Sequence, residues 1–71
     1  MIVAANPMIR GYALGLIDAH GGILEAYSFA EYILTRMEQR ICLFGMNKKL
    51  IQEYEFYCDV LDYIDAMIRM N

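Results

Sequence analysis

Residues 57–65 read YCDVLDYID: three aspartates spaced three apart among aromatic and aliphatic side chains, with no lysine or arginine to balance them. Carboxylates three or four positions apart share one face of a helix. Such a face can solvate the protein, attract a basic partner over long range, or hold a hard cation. The cation reading is the weakest, because the stretch lacks the alternating oxygen ligands and the turn glycine of an EF-hand loop.

Other chemistry-bearing residues are sparse. His20 is the sole histidine and precedes Gly21 and Gly22. That setting suits a helix C-terminus, where a cationic ring complements the dipole, and it offers no neighbouring nucleophile or orienting acid. Cys42 and Cys58 form no CxxC pair, and zinc sites want closely spaced ligand pairs. No Walker A run, GxGxxG or GxSxG occurs. The sequence therefore points to no enzyme, no cofactor and no metal.

The elements that carry these residues follow from capping signals and periodicity. A first helix is expected over about 7–20: Asn6 can cap it, Pro7 suits the first helical position, and Gly21–Gly22 can end it. Its interior is apolar on nearly all sides. Gly11 and Gly15 leave a smooth strip where another backbone could approach. The rival reading makes 12–27 a β-hairpin, with YALGLI and ILEAY as strands around DAHGG. The helix is preferred, since a lone hairpin is marginal.

A second helix is expected over about 23–44. Ile23, Tyr27, Ala30, Leu34, Met37, Ile41 and Phe44 recur at spacings of four and three, a heptad seam. SFAE at 28–31 resembles a capping box, so a bend near Ser28 is allowed for. After Gly45, Asn47 can cap a third helix running to about residue 70. Its seam is Leu50, Tyr54, Tyr57, Leu61, Ile64 and Ile68. Two seams joined by a short link predict an antiparallel helical hairpin. Folding the chain about residues 45–47 pairs Phe44 with Leu50, Leu34 with Leu61 and Ala30 with Ile64. The expected class is thus all-α, a single three-helix domain over residues 1–71.

The heptads also assign the flanks. One flank carries Ala26, Ile33 and Arg40 opposite Met67, Val60 and Glu53, with Phe29, Phe56 and Tyr63 beside it. It is apolar apart from the Arg40–Glu53 pair, and the first helix is its natural cover. The other flank gathers Glu31, Glu38, Glu55, Asp59, Asp62 and Asp65. These six are the candidate acidic partner-binding face. By the register, Cys42 and Cys58 lie about 8 Å apart along the axis, too far for a disulfide.

Composition bounds the function. The chain has 71 residues, of which 59% are hydrophobic. So small a domain leaves much of its surface exposed. The apolar surplus predicts self-association, a homodimer, with Met8, Tyr12, Leu16, Phe29, Phe56 and Tyr63 as contact residues. Six methionines add adaptable contact surface or simply fill gaps. A net charge of −3 and a pI near 4.8 disfavour direct binding to nucleic acid or anionic membranes. Cysteine usage, a MIVAANPMIR start without a basic region before its apolar run, and the lack of a spanning apolar stretch suggest the cytoplasm. The leading expectation is a non-enzymatic module that binds another protein through an apolar and aromatic or an acidic helical face. The alternative is an acidic inhibitor of the phage or mobile-element kind, occupying the basic groove of a nucleic-acid-binding complex.

Overall fold

The computed structural model describes residues 6–45 and 47–70. Residues 1–5 of the MIVAANPMIR start, and Met46 of the link at 45–47, fall outside these. Three helices make up the chain: α1 (Pro7–His20), α2 (Ile23–Phe44) and α3 (Lys48–Met70). No strand occurs among the described residues, so the N-terminal hairpin does not form.

Each boundary has a chemical cause. Asn6 is extended, and its Oδ1 accepts the Met8 backbone N–H at 2.9 Å, with Pro7 opening the helix behind it. Gly21 takes the left-handed conformation at φ 78°, and the Gly22 N–H donates to the Ile17 carbonyl at 3.1 Å. That is the long bond of a Schellman motif, which satisfies the carbonyls α1 leaves over. Gly45, at φ 83°, closes α2 through its N–H to the Ile41 carbonyl at 3.0 Å. The Asn47 side chain accepts from the N–H groups of Lys49 at 2.8 Å and Leu50 at 3.4 Å, capping α3. No break occurs at Ser28. The capping-box pattern there is overridden by an apolar seam that already runs through it.

Helices α2 and α3 form the antiparallel hairpin, and α1 packs against both. The buried residues are Ala13 of α1, Ala26, Ala30 and Leu34 of α2, and Val60 and Ile64 of α3. Ala13, Ala26, Val60 and Ile64 form one cluster, with Ile9, Leu16, Ile17, Phe56 and Tyr63 around it. Its centre lies towards the Ala26/Val60 flank, because α1 covers that side of the hairpin. Alanine on both α1 and α2 lets their backbones draw close. The same economy makes the core thin: only Leu34, Val60 and Ile64 fill it with more than a methyl group.

The seam fails at one end. Phe44, expected against Leu50, is 81% exposed. Helix α1 has 14 residues and α2 has 22, about 21 Å against about 33 Å at 1.5 Å per residue. The antiparallel α1 thus stops short of the α2–α3 turn by about 12 Å, and Leu43 and Phe44 have no third helix over them.

Candidate interaction surfaces

Two surfaces compete for function: the acidic flank of the hairpin and the apolar side chains left outside the core.

On the acidic flank, Glu31, Glu38, Glu55, Asp59 and Asp62 are exposed and Asp65 is half-buried. Three of them surround one thiol. Burial pushes the Cys58 pKa up, the Tyr54 hydroxyl opposes this, and Asp62, Asp59 and Glu38 add to it. A thiol held protonated is a poor nucleophile and a poor metal ligand. Tyr54 donates to Glu38 Oε2 at 2.8 Å, and this bond, with lesser help from burial, pushes the Tyr54 pKa up to about 12. The bond ties α3 to α2 across the acidic flank, so Glu38 has a structural task within the chain. Heptad reading places Tyr54 in the seam but does not show its hydroxyl reaching Glu38.

One aspartate of the triplet, Asp65, has a cation beside it, while Asp59 and Asp62 have none within the described residues. Arg69 Nε reaches Asp65 Oδ2 at 2.9 Å, one helical turn on. Residues 57–65 contain no cation, yet the helix continues beyond them and supplies one. This is the single ion pair among the described residues; the expected Arg40–Glu53 pair does not form. No group of three or more metal-binding side chains is present among the described residues either. Cys42 is exposed, Cys58 half-buried, and both are free thiols.

Most apolar candidates are occupied within one copy. Leu16, Phe56 and Tyr63 pack against the core cluster. Tyr12 meets the edges of Phe56 and Tyr57 with ring centroids 5.3 and 5.4 Å apart, and the Tyr12 and Tyr57 hydroxyls share a hydrogen bond. Burial, followed by that bond, pushes the Tyr57 pKa up to about 12. Phe29 stacks on His20 at 4.3 Å between centroids, which gives the lone histidine a packing role as well as its place at the end of α1. Only Met8 of the six stands largely free, at 72% exposure.

The free apolar surface lies elsewhere. Leu14, Leu24, Tyr32, Leu43, Phe44 and Met70 are exposed along with Met8 and Tyr12. Composition signals such a surplus, but its location depends on helix lengths and on the rotation of α1, which periodicity alone does not give. On α2, Thr35, Glu38, Gln39, Cys42 and Leu43 line a shallow open groove beside the acidic flank. On α1, the outward face holds Met8, Gly11, Gly15 and Ala19. A Cβ placed on either glycine would meet nothing within 4 Å, so nothing in the chain uses the smooth strip. Among the described residues, no helix is long and apolar enough to cross a membrane. No family model, characterised protein or solved structure matches the chain.

Proposed function

We propose that this chain is a non-enzymatic protein-interaction module that works in the cytoplasm and associates through apolar helical surface. The observation that carries this reading is the mismatch between a thin core and the large side chains outside it. Leu24 at 62%, Leu43 at 76% and Phe44 at 81% exposure project from helices whose own core is largely alanine, valine and isoleucine. Leu43 and Phe44 stand together at one end of α2 and Leu24 at the other, and exposed apolar side chains of this size support a protein contact. Two free cysteines support the reducing compartment.

The acidic-inhibitor reading stands second. Its support is the group of Glu38, Asp59 and Asp62 around Cys58. It is weakened by the Arg69 partner of Asp65 and by the Tyr54 bond to Glu38. Reversing Asp59, Asp62 and Asp65 together to lysine separates the two. Under the apolar reading, association survives the reversal and resists high salt. Under the acidic reading, partner binding disappears with the reversal and weakens with salt in the unaltered chain.

A further inference from the structure

The net charge of −3 averages over two unlike ends of the molecule. Between Glu38 and Glu53 the chain carries Arg40, Lys48 and Lys49 and no acid, so all nine acids lie outside residues 39–52. In the fold this stretch is the turn end of the hairpin: the end of α2, the link and the start of α3. The three cations are exposed, and none has an ion-pair partner among the described residues. Leu43 and Phe44 stand among them, the most exposed of the large apolar side chains described, at 76% and 81%. Arg40 lies three and four positions before them, on the same side of α2. Helix α1 stops about 12 Å short of this end, so the hairpin projects past the three-helix body. Lys48 and Lys49 open a helix with no acid in its first turn, where the dipole disfavours positive charge.

We propose that this tip docks on an anionic bilayer surface, with Leu43 and Phe44 entering the headgroup boundary and Arg40, Lys48 and Lys49 facing the lipid charges. The proposal goes beyond the association described above, and Leu24, at the other end of α2, is left to that contact. Charge and shape argue for it together. Cations ringing an exposed aliphatic and an exposed aromatic side chain match the two layers of a bilayer interface, one set for the lipid charge and one for the acyl boundary. The pair stands on a projecting end, and a bilayer takes in a protrusion without a preformed cup. Lipid charge also offsets the placing of two lysines at the start of α3. The acids do not oppose it strongly. Glu38 and Glu53 lie six residues back from Phe44 and Asn47, about 9 Å along the helices, and Glu38 is held by Tyr54. Asp59 is about 18 Å back from Asn47, roughly twice the Debye length at physiological salt. Each cation near a charged leaflet strengthens binding about fivefold, so three give roughly a hundredfold preference for anionic over neutral lipid. Two apolar side chains bury less than a single acyl anchor, which is itself marginal, so the attachment is weak and reversible.

Co-sedimentation of the full chain with vesicles tests the proposal, using phosphatidylcholine alone and phosphatidylcholine mixed with phosphatidylserine in equal parts. Circular dichroism confirms that each variant is folded. The natural chain is expected to bind the mixed vesicles roughly a hundredfold more tightly than the neutral ones, and to leave them as salt is raised. Lys48→Gln with Lys49→Gln should weaken that binding about thirtyfold, and Leu43→Ser with Phe44→Ser about tenfold. Asp59→Asn with Asp62→Asn alters the net charge by as much as the lysine pair, yet should shift binding by less than about twofold, because those acids lie beyond the screening length. A natural chain that binds both vesicles alike, or neither, overturns the proposal. So do lysine or Leu43–Phe44 variants that bind as well as the natural chain. An aspartate pair that matters as much as the lysine pair also overturns it, since net charge and not the tip then governs. A chain that ignores both vesicles yet self-associates leaves the tip to a protein partner and the proposed function standing.

Discussion

Gly15→Ala adds a methyl group to a helix at a position where it meets nothing within 4 Å. Gly15 lies inside α1 and has no positive φ, so alanine fits its backbone without strain. The change in an isolated copy is therefore the helix-propensity difference alone, about 0.8–1 kcal/mol in favour of alanine. For a domain of this size that raises the unfolding midpoint by roughly 4–8 °C. Thermal unfolding followed by circular dichroism at high dilution reads this gain. A midpoint at high dilution that stays level or falls would show that the outer face of α1 is not free.

Two further outcomes follow from the core and from the tyrosines. Ile64 is fully buried and is the largest side chain so placed. Ile64→Ala should cost about 2–5 kcal/mol, a large share of the roughly 4–11 kcal/mol available to a chain this short; a urea midpoint lowered by less than a tenth would mean the core lies elsewhere. The folded chain holds the Tyr54 and Tyr57 protons more tightly than an unfolded one, near 12 against 10.0. That stabilisation is whole below pH 10.0 and is lost as pH climbs towards 12. Tyr57→Phe should flatten part of the alkaline fall in the urea midpoint, and an unchanged fall would assign it to other groups.

The caps and the hairpin were legible in the sequence because they are local. Asn6, Gly21, Gly45 and Asn47 each sit where a short-range bond needs them, and the four-three spacing of two seams fixes how α2 and α3 face each other. The flank that α1 covers was legible too, since one side of the hairpin is apolar and the other acidic. What periodicity could not give was extent. It assigned Phe44 to the seam, but burial there requires a third helix, and α1 is too short to supply it. Nor did it give side-chain reach. Arg69 lies four residues past the last aspartate of the triplet, outside the stretch that looked unbalanced. The Tyr54 hydroxyl crosses to Glu38 through a contact that only the rotation of both helices determines. Exposed apolar surface was predictable in quantity but not in place: Leu16, Phe56 and Tyr63 turn inward, while Leu14, Leu24 and Leu43 turn out.

The central claim is that the apolar surface left outside this thin core is an association surface. Sedimentation equilibrium of the unaltered chain, run over a wide concentration range at low and at high salt, tests it most directly. The mass should rise from that of one copy, 8.2 kDa, towards twice that value with concentration, and high salt should not abolish the rise. A mass that stays at one copy across the whole range, in both salts, would contradict the claim.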